Sequence, residues 1–222
     1  DLTAFFAIQE GKEVILTGSN RMKERPIKIL VEALQQLGAE ISYEEQAGFP
    51  PLSIKGKKLT CSKVSLPANV SSQYISALLL IAPKLENGLE LTLEGEITSV
   101  PYIKMTLTLL NEIGVETSFV DNIISVHSQF TIHNSQFTIE SDWSSASYWY
   151  SIMALSEIGT EITLSSYKPN SLQGDSALVE IYSAFGVETI FENNSILLRK
   201  THNPKLTTHN LQLNNCPDIA QI

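Results

Sequence analysis

The residues of this chain that could do chemistry gather in a few short polar stretches. The densest is residues 20–26, NRMKERP, where Arg21, Lys23 and Arg25 place three of the fifteen Lys and Arg residues within five positions of a chain whose net charge is −9. The run leads into Ile27, Leu30, Val31, Leu34 and Leu37, which recur at helical spacing before Gly38, so a helix entered through Pro26 is predicted. Cations at a helix start oppose the macrodipole. The run is therefore either an ordinary solvated face or one that shares a bound anion with the helix end. Four more polar stretches sit where helices should begin: Ser71-Ser72-Gln73, residues 99–102 (SVPY), residues 142–147 (DWSSAS) and residues 171–175 (SLQGD). Each alone reads as an N-cap, because such side chains satisfy the free N–H groups of a first helical turn.

Composition limits what these stretches can bind. At 222 residues, with 43% hydrophobic and 18% charged residues, the chain has room for one large or two modest globular domains. The acidic balance argues against a general nucleic-acid binder, which needs a broad basic face to displace counterions. No apolar run approaches the roughly 20 residues of a membrane span. Cys61 and Cys216 form neither a metal-ligand spacing nor a disulfide framework, which fits a reducing cytosol. The histidines read as ordinary polar positions: His127 and His133 on two strands, His202 and His209 in loops. The chain opens in what looks like the middle of an apolar helix, without Met, and closes as another apolar run begins. A piece of a longer protein is expected.

The elements that must position these residues repeat. EALQQLGAEIS around Gly38, TLLNEIGVETS around Gly114 and EIYSAFGVETI around Gly186 share a helix tail, a glycine and a strand. A second set of markers, around Gly11, Gly88 and Gly159, has the same period, a unit of about 70 to 77 residues. Within a unit the first helix is apolar on most sides, as in Ile75, Leu78, Leu79, Leu80 and Ile81. An alternating strand follows, Leu89, Leu91 and Leu93 against Glu90, Thr92 and Glu94. The second helix is amphipathic (Ile103, Leu107, Leu110; Leu178, Ile181, Phe185), and two more strands close the unit. The fold class is α+β. Equivalent helix starts in pseudo-symmetric units can face one way, and five polar starts at the same phase, one of them cationic, point to a face for anionic ligands.

In order and spacing, LTGSNRMKERPIKILVEALQQLGAEI, PANVSSQYISALLLIAP, SVPYI, SDWSSASYW, NSLQGD and CPDIA resemble the 5-enolpyruvylshikimate-3-phosphate synthase family over essentially the whole chain. The resemblance implies two domains of repeated βαβαββ units, both incomplete here: residues 1–139 as most of the first, and 140–222 as the first part of the second. It implies transfer of the enolpyruvyl group of phosphoenolpyruvate to the 5-hydroxyl of shikimate 3-phosphate with release of phosphate. No metal or organic cofactor is implied, the partners are those two small molecules and neither nucleic acid nor membrane, and a cytoplasmic enzyme, monomeric at full length, is expected.

By the same resemblance Arg21 would hold phosphoenolpyruvate, with Lys23 and Arg25 in support. Ser71, Ser72 and Ser99 would bind shikimate 3-phosphate, Gln73 would touch both substrates, and Tyr102 would lie against the shikimate ring. Asp218, in CPDIA, occupies the position of the proton acceptor for the attacking hydroxyl and of a shikimate contact. Asp142 and Gln173 sit in family motifs and read best as caps. Further site residues of the family lie outside these 222 residues, so the chain alone is expected to show no turnover. Two other readings share the fold: the sister enzyme acting on UDP-N-acetylglucosamine, and a noncatalytic binding module.

Overall fold

The computed structural model describes residues 1–69, 71–97, 100–128, 139–204, 213 and 216–221. The chain divides into two compact units, residues 1–98 with 106–135, and residues 99–105 with 136–222.

The first unit holds two repeats. One runs α1 (Leu2–Ala7), β1 (Glu13–Leu16), α2 (Asn20–Lys23), α3 (Lys28–Gln36), β2 (Glu40–Tyr43) and β3 (Leu52–Lys55). The other runs β4 (Lys63–Pro67), α4 (Ser72–Ile81), β5 (Leu89–Glu94), α5 (Val100–Glu112), β6 (Thr117–Val120) and β7 (Ile123–Val126), with the first residues of α5 grouping with the second unit. The second unit continues with α6 (Trp143–Leu155), β8 (Glu161–Ser165), α7 (Leu178–Ser183), β9 (Val187–Glu192) and β10 (Ser195–Lys200).

The sheets have the orders β1-β3-β2, β4-β5-β7-β6 and β8-β10-β9, antiparallel throughout except for the parallel β4–β5 pair. In each, the last strand of the repeat lies between the other two, so the pseudo-symmetry read from the glycine markers is a symmetry of strand pairing. β4 completes the βαβαββ pattern in the second repeat, and the α+β fold class stands.

Local chemistry explains the elements. Leu89, Leu91 and Leu93 are buried along β5 while Glu94 is exposed, the alternation of a half-covered strand. Ile103, Leu107 and Leu110 are the buried stripe of α5. Gly38, Gly114 and Gly186 follow the second helices with φ of 99°, 95° and 76°, the left-handed stop that reverses the chain into a strand. At Gly186 a side chain is also excluded by space, since a Cβ would stand 2.0 Å from the His202 carbonyl oxygen.

α4 buries Ile75, Ala77, Leu78, Leu79 and Ile81 and packs on α1 and α3. Each such fully buried aliphatic chain contributes about 1.5–3 kcal/mol. α6, its counterpart in the second unit, buries Trp143, Ala146, Tyr150 and Met153 but leaves Tyr148, Trp149, Ile152 and Leu155 exposed. The expectation of a first helix covered on most sides therefore holds for α4 and not for α6, which has no second repeat of its own unit among the described residues. α7 is also shorter than its amphipathic pattern suggested, and Ile181 and Phe185 are only half-buried.

Lys200 is fully buried at the end of β10. Its Nζ donates to the carbonyls of Ala154, at 2.7 Å, and Phe185, at 2.9 Å. These belong to the last turn of α6 and the residues just beyond α7, so the ammonium satisfies oxygens that the helices leave free and sits at the favourable end of both dipoles.

Candidate functional site

The cation run folds as its own short helix. Ser19 precedes α2, Arg21 and Lys23 lie in its only turn, and Ile27, not Pro26, is the residue at the cap of α3. The helix predicted from Ile27 to Leu37 is α3, and the cation run ahead of it forms an additional short helix that its spacing did not show. Lys23 Nζ pairs with Glu45 Oε1 at 2.8 Å. Arg21 and Arg25 are exposed and form no ion pair among the described residues.

Ser71 stands at the N-cap of α4, with no side-chain capping hydrogen bond. Its hydroxyl is therefore not committed to the helix; of the first-turn N–H groups, that of Tyr74 is taken by the Ser71 carbonyl oxygen at 2.9 Å, which leaves those of Ser72 and Gln73 to face a ligand. Ser71 and Gln73 are exposed and Ser72 is half-buried. One residue further on, the Tyr74 hydroxyl donates to the Pro26 carbonyl oxygen. That bond joins the start of α4 to the end of NRMKERP, 48 residues apart in sequence.

Tyr102 and Asp218 lie in the second unit, and Ser99 lies outside the described residues. Tyr102, on the first turn of α5, donates its hydroxyl to Asp175 Oδ1 at 3.2 Å, and the Ser144 hydroxyl donates to Asp175 Oδ2. Asp175 is 1% exposed. Burial raises its carboxyl above the usual carboxylate range; the Ser144 and Tyr102 hydroxyls oppose this, and the charges of Asp218 and Asp142 add to it. Burial likewise raises the Tyr102 phenol, helped by Asp175 and Asp218. Asp218 is exposed on the 3-10 segment Pro217–Gln221, and that segment is anchored by Ile219, which joins Cys216 in the core of the second unit. Burial, with a smaller contribution from Asp175, pushes the Cys216 thiol up.

The two residues read as caps do cap. Asp142 is the N-cap of α6, accepting from the Ser144 N–H at 2.9 Å and from the Ser145 hydroxyl at 2.9 Å. Gln173 accepts from the Trp143 N–H at 2.9 Å and donates to the Ser141 carbonyl at 2.9 Å, so it braces the same helix start from outside. SLQGD opens not into an α-helix directly but into the 3-10 turn Gly174–Ala177 ahead of α7. Sequence reasoning missed the burial of Asp175. Its signal was the Asp of SLQGD, which as the fifth residue of a polar stretch is indistinguishable from a cap. His127 follows β7 rather than lying on it, His202 is in a loop, and His133 and His209 lie outside the described residues. Both cysteines are free, and no cluster of three His, Cys, Asp or Glu among the described residues could hold a metal ion. No helix among them is long and apolar enough to cross a membrane.

The family model of EPSP synthase (3-phosphoshikimate 1-carboxyvinyltransferase) matches residues 2–222. The chain belongs to the EPSP synthase family. It is 50% identical to a 3-phosphoshikimate 1-carboxyvinyltransferase of Bacteroides fragilis over 200 residues, which are 90% of this chain and 48% of that protein. A second such enzyme, of Colwellia psychrerythraea, is 37% identical over 99% of this chain and 50% of its own length. The chain thus spans about half the length of the curated relatives it matches. In fold it is similar to EPSP synthase from Acinetobacter baumannii, with a TM-score of 0.75 at 21% identity, covering 98% of this chain and 49% of that one. The enolpyruvyl transferase NikO from Streptomyces tendae is more distant, with a TM-score of 0.54 at 12% identity over 85% of this chain and 44% of that one. EPSP synthase family membership carries the α+β enolpyruvyl-transferase fold with it.

The contrast between two helix starts is testable by chemical denaturation. Asp142→Ala removes a used cap and should cost about 1 kcal/mol, whereas Ser71→Ala should change stability by less than about 0.5 kcal/mol. A loss at Ser71 as large as that at Asp142 would show that its hydroxyl belongs to the helix and not to a ligand.

Proposed function

We propose that the full-length protein transfers the enolpyruvyl group of phosphoenolpyruvate to the 5-hydroxyl of shikimate 3-phosphate and releases phosphate. It does so as a cytoplasmic monomer without metal or organic cofactor, in the pathway to the aromatic amino acids. Residues 1–139 are most of its first domain and 140–222 the first part of its second, and the chain by itself is inactive. The observation that carries this reading is the pairing in the first unit of an exposed Arg21, without an ion pair among the described residues, with the start of α4, whose N-cap Ser71 makes no side-chain cap, the two segments being joined by the Tyr74–Pro26 hydrogen bond. Two polyanions have to be held side by side against their repulsion, and unspent cations and helix-start N–H groups are what that requires.

Arg21 holds phosphoenolpyruvate through a bidentate guanidinium contact, with Arg25 beside it in the motif. Lys23, engaged by Glu45, supports the run rather than the ligand. Ser71, Ser72 and Ser99 take shikimate 3-phosphate, Gln73 reaches both substrates, and Tyr102 lies along the shikimate ring. Protonation of the phosphoenolpyruvate methylene makes the neighbouring carbon cationic. The 5-hydroxyl attacks it as Asp218 accepts the hydroxyl proton, and the tetrahedral adduct then expels phosphate while its methyl group gives up a proton, which restores the enolpyruvyl double bond. An exposed carboxyl group on an anchored turn is within reach of solvent for return of the proton.

Two substitutions in the full-length protein separate these roles. Arg21→Ala should weaken phosphoenolpyruvate binding in the presence of shikimate 3-phosphate by at least about thirtyfold, roughly 2 kcal/mol, and leave shikimate 3-phosphate binding nearly unchanged. Unaltered phosphoenolpyruvate affinity by calorimetry would remove Arg21 from the site. Asp218→Asn should lower turnover by about 10² to 10⁴ with both substrates still binding; wild-type turnover would assign the proton to another group.

A further inference from the structure

Asp175 is the buried carboxylate for which this mechanism has no use. It stands in the 3-10 turn Gly174–Ala177, but the side-chain hydrogen bonds described for it come from elsewhere: the Tyr102 hydroxyl on α5 meets one oxygen, and the Ser144 hydroxyl at the start of α6 meets the other. A neutral amide could accept from one hydroxyl and donate to the other without desolvating a charge. The chain instead keeps a carboxylate there, 1% exposed and close enough to Asp218 and Asp142 for both charges to act against its ionisation. A residue that only tied the fold together would gain little from that arrangement, while a carboxyl group offers both hydroxyls an acceptor oxygen each, which an amide cannot do.

We propose that Asp175 is a positioning residue of the shikimate 3-phosphate subsite, its two oxygens fixing the Tyr102 hydroxyl and the Ser144 hydroxyl so that the Tyr102 ring presents a set face. The assignment to that ligand rests on the reading of Tyr102 as a contact of the shikimate ring. Asp175 touches no substrate and acts through Tyr102. The groups facing it are Tyr102 from α5, Ser144 and Asp142 from the start of α6, and Cys216 and Asp218 around the last 3-10 turn.

The test is a double-mutant cycle in the full-length protein, with steady-state kinetics on both substrates. Asp175→Ala should raise KM for shikimate 3-phosphate about tenfold while shifting KM for phosphoenolpyruvate less than about twofold. In a Tyr102→Phe background the same substitution should change KM for shikimate 3-phosphate by less than about twofold, because the group it acts through has lost its hydroxyl. Equal effects in the two backgrounds, or an unchanged KM for shikimate 3-phosphate, would overturn the proposal.

Asp175→Asn, which keeps the side-chain shape, provides a second arm that needs no ligand. With ring-labelled tyrosine, the Tyr102 NMR signal, assigned by its disappearance in Tyr102→Phe, should move with pH as Asp175 takes up a proton above the usual carboxylate range. The step should vanish in Asp175→Asn and persist in Asp218→Asn. A Tyr102 signal that titrates identically in wild type and Asp175→Asn would overturn the hold itself. A normal step in a wild-type protein that does not turn over shikimate 3-phosphate would overturn the functional reading and with it the subsite, leaving the Asp175–Tyr102 hold standing.

Discussion

Burial of the apolar helix α4 is the constraint on which the first unit depends. With Ile75, Ala77, Leu78, Leu79 and Ile81 inside and α1 and α3 packed against it, α4 has no freedom to rotate or slide without exposing several aliphatic chains, each worth about 1.5–3 kcal/mol. Its direction is therefore fixed, and so is the point at which its first turn emerges. Ser71, Ser72 and Gln73 are the polar residues at that point, and Tyr74 reaches from it to Pro26. A helix start becomes a ligand face because the rest of the helix cannot move.

The second unit solves the same problem with polar contacts. α6 begins under its N-cap Asp142 and under Gln173 and ends on the Lys200 ammonium, so side chains meet free backbone groups at both of its ends. The segment bearing Asp218 is held by Cys216 and Ile219 in the apolar core while the carboxylate stays in water. Anchoring a reactive group through its apolar neighbours keeps its position without desolvating it.

Much of this was legible in the sequence. The glycine markers gave the period of the repeat, and Leu89 to Glu94 and Ile103 to Leu110 gave a strand and a helix with the right faces inside, since such patterns are set within ten residues of chain. The motifs that carry the resemblance fixed the family and named the candidate site. What stayed hidden depends on contacts distant in sequence. The Tyr74–Pro26 bond spans 48 residues, Asp175 is held by Ser144 and Tyr102, 31 and 73 residues earlier, and Lys200 caps a helix 46 residues away. No local pattern distinguishes such a Lys or Asp from a solvated one. α2 was missed for a local reason: a four-residue helix is shorter than the period needed to recognise it.

The central claim is that the start of α4 and the exposed Arg21 serve a transfer from phosphoenolpyruvate to shikimate 3-phosphate. Phosphate release by the full-length protein, supplied with phosphoenolpyruvate and either shikimate 3-phosphate or UDP-N-acetylglucosamine, tests it most directly. Release with shikimate 3-phosphate alone is the predicted result; release with UDP-N-acetylglucosamine, or with neither acceptor, would contradict it.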